Sequence, residues 1–392
     1  MAKLNIKIIL FLLLSVLIFS NCSSNKEFSA PYLEETVDDV RFLHNFQPDI
    51  HKQIRFIEEL IIGNDSIAEE NMFLDPSEIE IDSEGNLYIL EKLDSTIKKY
   101  NPSGHLIKKI GRQGQGPGEF VELSSIEINS KNEIFAYDSR LRKIEVFTTN
   151  GNLIKTMKLN RYTVKHFKLG KDGTLFIGQE KLKPINNKSK LHYTISIYNM
   201  MTNKDYDICW MRPIGRETMQ FKYKGGILSF SNALNVKWNI NSLNYIYIES
   251  PNNYVVYIYS SKGDLLLVFD RTLKSLYNKD ISKQEFIEEF SAFRKEYFPK
   301  ANQGSVSLYP VFRSISIDEK DRVWIRLMTS DSFGSASCTY FDVFSKNGVY
   351  LFTTKIDRAV DSNLAFKNGF LVVLIVNDKG YKNAVKMRIV EE

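Results

Sequence analysis

A unit of about 40–50 residues recurs along the chain, and no other feature limits the fold as tightly. IEIDSEGNLYIL (79–90) aligns with IEINSKNEIFAY (126–137), and STIKKYNPSGHLIKKI (95–110) aligns with RKIEVFTTNGNLIKTM (142–157). Each unit reads as four short strands. In the first they are SEIEID, LYILEKL, TIKKYN and HLIKKI, separated by Ser83-Glu84-Gly85-Asn86, Asp94-Ser95 and Pro102-Ser103-Gly104. Apolar residues alternate within the strands, and the separators are residues that tolerate turn geometry. Four further units follow, opening VKHFKLGKDGTLFIGQE (164–180), LNVKWNINSLNYIYIES (234–250), FRSISIDEKDRVWIRLM (312–328) and SNLAFKNGFLVVLIVNDKG (362–380).

Four antiparallel strands per unit is the anatomy of a propeller blade. The expected fold is therefore all-β, a six-bladed β-propeller over residues 53–392. A ring must close, and QIRFIEELIIG (53–63) is the candidate strand to complete the last blade and remove a free edge. One segment departs from the β pattern. DISKQEFIEEFSAFRKEYFPK (280–300) reads as a helix, with Ser282 and Glu285 as a capping box and Phe286, Phe290, Phe293 and Tyr297 on one face. It reads either as a decoration on the ring or as a lid or docking helix.

The N-terminus speaks of address. Lys3 and Lys7 precede an apolar run, Ile8–Phe19, too short for the roughly 20 residues that span a bilayer but suited to a secretory signal. Asn21-Cys22-Ser23-Ser24 follows and is similar to a bacterial lipobox, whose cysteine is acylated and becomes the new N-terminus. That family usually has Gly or Ala where Asn21 stands. The expected division is a signal peptide over 1–21 and a lipidated N-terminus and tether over 22–52. The protein would then be exported and lipid-anchored to the cell envelope, its membrane contact made through the lipid on Cys22. The formal net charge of +5 falls to +3 without Lys3 and Lys7, and no basic run with interleaved aromatics occurs, so no nucleic-acid partner is expected. Export would permit a Cys209–Cys338 disulfide, but their spacing does not call for one.

GRQGQGPGEF (111–120) poses a choice between a phosphate cradle and a blade crossing. A phosphate loop needs a helix after it, and strand-like EFVELSSIEIN follows instead. No Gly-Lys-Ser/Thr completes the run, and glycines at 111, 114, 116 and 118 miss the dinucleotide spacing. The crossing between blades explains the glycines, which tolerate positive φ. This run, followed by a strand and the next unit's turn, resembles the inter-blade signature of NHL-repeat propellers. With the N-terminal signal it resembles the six-bladed β-propeller lipoproteins of Bacteroidetes, most strongly over residues 74–159.

Three functional classes stand, one of them a structural or sensory part of a larger envelope complex, and the other two are more specific. One is a ligand- or protein-binding module, with a protein or glycan partner in the envelope and Arg112, Gln113, Gln115 and Glu119 of the crossing loop as contacts. The other is a lyase- or lactonase-like enzyme holding a divalent cation in the channel; otherwise no cofactor is expected. Zinc-dependent relatives use several histidines, and this chain has only His44, His51, His105, His166 and His192. Of these only His166, on a first strand, is placed to face the channel. Glu80, Glu127 and Asp318 lie on or near first strands, but their strand parity is not readable. Trp210, Trp238 and Trp324 could stack on sugars or fill the core, and Tyr254, Tyr257 and Tyr259 read the same way. No catalytic residue is assigned.

Overall fold

The computed structural model describes residues 31–46, 54–63, 73–159, 163–185, 188–199, 204–211, 219–223, 226–230, 236–249, 254–271, 311–328, 338–377 and 379–392, with residues 48 and 202. Six blades surround one axis. From the axis outward, blade 1 is Pro76–Ile81, Leu87–Glu91, Thr96–Tyr100 and Leu106–Ile110. Blade 2 is Leu123–Ile128, Ile134–Asp138, Lys143–Phe147 and Leu153–Lys158. Blade 3 is Thr163–Leu169, Leu175–Ile185, Lys188–Asn199 and Lys204–Met211. Blade 4 is Trp238–Ile240, Ile246–Glu249, Val255–Tyr259 and Leu265–Arg271. Blade 5 is Val311–Ile317, Val323–Met328, Thr339–Phe344 and Tyr350–Ile356.

Blade 6 closes the ring as the sequence pattern foretells. Ala365–Lys367, with Ala359–Val360, pairs Phe370–Val376, which pairs Lys382–Glu391. The outermost strand is Ile54–Gly63 from the other end of the chain, antiparallel to Lys382–Glu391. A two-stranded hairpin, Met219–Tyr223 with Gly226–Phe230, lies between blades 3 and 4 in the chain and was not legible in the sequence. The helix read over 280–300 falls outside the described residues, among which there is no helix.

Among the described residues six clusters of the core fill the seams between blades, one per seam. Tyr88, Ile97, Phe120 and Ile126 fill the seam of blades 1 and 2, and Tyr137, Val146, Phe167 and Ile177 the next. The others are built around Tyr193 with Trp238, Phe269 with Ile325, Trp324 with Leu371, and Leu374 with Ile89. A middle strand therefore has an apolar layer against each face, and LYILE and IFAYD are buried at every position. The outer strands LIKKI and LIKTMK are mostly exposed.

The turns follow one rule. In the first hairpin of blade 1, Asp82 Oδ1 accepts the N–H groups of Glu84 and Asn86 at 2.9 Å each. Asn129, Asn241 and Asp318 do the same in blades 2, 4 and 5. Such side-chain mimicry of a backbone turn is why Asp and Asn recur there. These turns also bond to one another around the ring. Asn132 Nδ2 donates to Ser83 Oγ (2.7 Å), and Ser130 Oγ to the Lys171 carbonyl (3.1 Å). Asn244 Nδ2 donates to Asp172 (3.0 Å), Ser242 Oγ to Asp321 (2.6 Å), Gly369 N to Glu319 (3.2 Å) and Asn368 Nδ2 to the Ser83 carbonyl (3.1 Å). All six seams are stitched at this turn end.

Residues 32–45, assigned from sequence to the tether, form a hairpin instead. Tyr32–Val37 pairs Val40–Asn45, and the latter lies parallel to Leu265–Arg271 on the outer edge of blade 4. The cause is apolar: Val40 and Phe42 are buried against Val255 and Val268.

Candidate functional site

First strands of neighbouring blades touch around the axis. Counted back from the first turn, two positions per blade are polar while the residue between them packs into a seam. The layer nearer the turn end holds Glu80, Glu127, Lys168, Asn239 and Ser316 in blades 1 to 5. The next holds Glu78, Ser125, His166, Lys237 and Ser314. The residues between, Ile79, Ile126, Phe167, Trp238 and Ile315, are buried. A register shift precedes Glu78, Ser125, His166 and Ser314 in the pairing of first and second strands. Such bulges re-aim the side chains beyond them.

The structure thus brings Glu80 and Glu127 together and adds Glu78 and Lys168. Glu78 Oε2 accepts from Ile126 N (2.8 Å) and Ser125 Oγ (3.0 Å), which ties blade 1 to blade 2. Lys168 donates to Glu127, tying blade 3 to blade 2. These side chains keep a sliver of solvent contact, 12% for Glu127 and 17% for Lys168. Burial raises the pKa of Glu78 and Glu127. Burial and the Glu127 charge push Glu80 well above the usual carboxylate range. Burial alone would lower Lys168, but Glu127 and Glu80 outweigh it and hold the ammonium charged. Burial, with Lys168 and Lys237, depresses His166 to about 3, so its imidazole is neutral and stacks on Trp238 at 4.9 Å. Among the described residues no group of three or more His, Cys, Asp or Glu is placed to hold a metal ion.

Asp318 lies apart from this cluster. It caps the first turn of blade 5, accepting Arg322 Nε (2.6 Å) and Trp324 Nε1 (2.9 Å). Asp82 accepts the Tyr88 hydroxyl in the same way (2.9 Å). Trp238 and Trp324 are core residues, the former donating Nε1–H to Tyr193 Oη at 2.9 Å. Tyr254 is buried and donates to Asp342 at 2.6 Å. His105 is exposed, and Cys338 carries a free thiol. Cys22 and His51, and the side chains of His192, Cys209 and Trp210, lie outside what is described.

The glycine-rich run is the crossing from blade 1 to blade 2. Phe120 is fully buried, and its N–H donates to the Arg112 carbonyl at 2.8 Å, which folds the run on itself. Arg112 and Glu119 pair at 2.7 Å, and Glu119 also accepts Gly116 N at 2.9 Å. Gly114 sits at φ 155, where a Cβ would come within 2.2 Å of Glu119 Oε2, so glycine is required. Beneath the loop, buried Glu145 takes Lys143, Thr156 and Gly118 N, and Lys143 also donates to the Gly116 carbonyl. The loop is thus held from below, while Gln113 and Gln115 are exposed above it.

Sequence reasoning missed a second charged cluster, at the N-terminal hairpin. His44 Nδ1 lies 2.8 Å from Asp270 Oδ2, and Nε2 lies 3.4 Å from Glu35 Oε1. Burial opposes charge here, but hydrogen bonds donated to both carboxylates raise His44 to about 9. The available signal was the apolar pattern of VRFLHN, obscured by its polar flanks.

Six four-stranded blades, six seam cores and an N-terminal closing strand make the protein a six-bladed β-propeller. Residues 67–208 match the model of a protein family described as a 6-bladed beta-propeller. A solved member of the DUF4221 family from Bacteroides vulgatus is similar over 86% of this chain and 98% of its own, at 11% identity and a TM-score of 0.55. A Bacteroides fragilis protein described as exported is similar over 89% and 99%, at 14% identity and a TM-score of 0.48. Virginiamycin B lyase from Staphylococcus aureus is similar over 87% and 100%, at 10% identity and a TM-score of 0.46. At 11% identity the likeness to the Bacteroides vulgatus protein concerns the fold alone. No curated protein matches the chain.

Proposed function

We propose that the protein is an exported, lipid-anchored envelope protein whose propeller acts as a ligand- or protein-binding module. The difference between the two ends of the ring carries the binding reading. At the turn end the six first hairpins bond to one another in a closed circle. At the crossing end stand the long hairpin strands Leu175–Ile185 and Lys188–Asn199 and the crossing loop between blades 1 and 2. Loops that vary on a rigid scaffold are where recognition is placed. The described crossing loop, with Arg112, Gln113, Gln115 and Glu119, sits at this end, and its two glutamines face solvent. The anchor reading rests on the basic start, the apolar run and Cys22. Fatty-acid labelling lost in Cys22→Ala supports it, and label surviving that substitution refutes it.

The binding test is thermal unfolding of the soluble chain, begun near Asn25, against oligosaccharides, divalent cations and EDTA. A ligand at about 100 times its Kd stabilises by about 2.7 kcal/mol. The expected result is a shift that Gln113→Ala with Gln115→Ala reduces. A second reading, a channel enzyme, is favoured by one observation. Glu80 is a carboxyl whose surroundings favour its protonated form, and such a group suits general acid work. A cation shift abolished by Glu80→Gln and untouched by the loop variant would replace the binding reading with that one.

A further inference from the structure

We propose that residues 32–45 are a clasp that fixes the membrane tether to the outer edge of blade 4, so that this edge of the ring faces the lipid surface. The inference rests on the lipid-anchor reading of Cys22 and adds an orientation to it. Three independent attachments hold the hairpin. Arg41–Asn45 pairs in parallel with Leu267–Arg271. Val40 and Phe42 bury against Val255 and Val268. His44 is held between Asp270 and Glu35, with Tyr257 of the adjoining strand also facing Asp270.

Asn45 gives the clasp its position. Its Nδ2 donates to the carbonyls of Asp270 (2.8 Å) and Gly348 (2.9 Å), and its Oδ1 accepts Tyr350 N (2.9 Å). One side chain thus satisfies backbone groups of both blade 4 and blade 5, and the hairpin is registered to that seam.

Chain length turns the attachment into an orientation. From Cys22 to Pro31 there are nine residue steps. A chain of that length reaches at most about 30 Å at full stretch, and averages about 17 Å if it has no structure of its own. Without the clasp, the first residue fixed to the ring would be Ile54 in blade 6. The tether would then span about 30 Å on average and about 110 Å at full stretch, leaving the ring free to tumble. The exposed groups of the hairpin, Glu34, Asp38, Asp39 and Arg41, are mostly acidic. The edge is therefore held by the lipid rather than by attraction to anionic headgroups.

The test uses the lipidated chain in phosphatidylcholine vesicles carrying an acceptor dye, with Cys209 and Cys338 replaced by serine. A donor is placed by Ser103→Cys or Lys262→Cys, equivalent outer-turn positions of blades 1 and 4 on opposite sides of the ring. The expected result is stronger energy transfer from position 262, a difference lost in His44→Ala with Asn45→Ala. Equal transfer, stronger transfer from 103, or a difference that survives the double variant overturns the proposal. Hydrogen exchange in strand Val40–Asn45 separates the two premises. Protected amides in a chain that vesicles do not retain would refute the anchor, and the orientation with it, while leaving the hairpin docked. Retention without protection would refute the clasp alone.

Discussion

Raising the pH should open the N-terminal hairpin while the ring stays closed. His44 titrates near 9 when docked, against an ordinary value near 6.5. A group whose pKa rises on docking contributes fully below its undocked value and loses that contribution as pH climbs through its docked value. The clasp is therefore strongest below about pH 6.5, weakens above it, and has lost this term above pH 9. The interval of about 2.5 pH units corresponds to at most about 3 kcal/mol, or a few-hundred-fold in the opening equilibrium. Loss of the imidazolium also leaves Glu35 and Asp270 facing each other, and Asp270 Oδ1 already lacks a partner. The assay is hydrogen exchange in strand Val40–Asn45, comparing the chain with His44→Gln at matched pH so that intrinsic exchange cancels. The ratio of protection should approach about 10²-fold at pH 6 and fall towards one by pH 10. A ratio that stays constant, or grows with pH, refutes the assignment of a charged His44 to the latch.

Four other outcomes follow from the geometry. Glu145→Ala strands Lys143 in the seam of blades 1 and 2 and removes an acceptor from Gly118 N; urea unfolding should show a loss of about 3–5 kcal/mol. Arg112→Ala, whose side chain is 79% exposed, should leave the urea midpoint nearly unchanged, so that any loss of ligand binding reports contact rather than folding. Gly178→Ala puts a Cβ within 2.2 Å of Tyr193 Oη and 2.6 Å of Trp238 Nε1; it should cost about 1–3 kcal/mol and alter Trp238 fluorescence. Asn132→Gly keeps the positive φ of 60 but deletes the stitch to Ser83, and Asn132→Ala loses both, so calorimetry should find the alanine variant the less stable.

The repeat made the blades legible because each middle strand must be apolar on both faces and each turn needs residues that fold back on themselves. LYILE and IFAYD, with Asp82 and Asn129 just before them, state both conditions in the sequence. The closing strand was legible because a ring of blades must leave no free edge, and QIRFIEELIIG precedes the first unit. The axial cluster was only half legible. Glu80 and Glu127 stand out as carboxylates on first strands, but the bulges before Glu78 and Ser125 break the two-residue alternation, so parity cannot be counted from the strand start. Asp318 resembles them in sequence yet serves a turn, because it stands two positions beyond Ser316, the axial residue of its blade, where the first turn begins. The clasp was hidden by composition. Its charges Glu35 and His44 read as solvated tether until Asp270, more than 200 residues away, is brought beside them.

The cores of this ring lie between blades, so its integrity depends on closure as much as on the content of any blade. Ile54 belongs to the seam of blades 5 and 6, and Ile62 to the seam of blades 6 and 1. One strand therefore completes two of the six cores, and it lies near the end of the chain that the anchor reading attaches to lipid. A force arriving along that tether would peel the closing strand directly if nothing intervened. The hairpin intervenes: it precedes Ile54 in the chain and is fastened to blades 4 and 5 instead. Loading then falls first on the edge strand Tyr32–Val37, and passes on only once the inner strand Val40–Asn45, paired with Leu265–Arg271 and backed by Phe42, His44 and Asn45, is also released. On the anchor reading, an element that looks redundant to a six-bladed ring would separate holding the protein in place from keeping the ring shut.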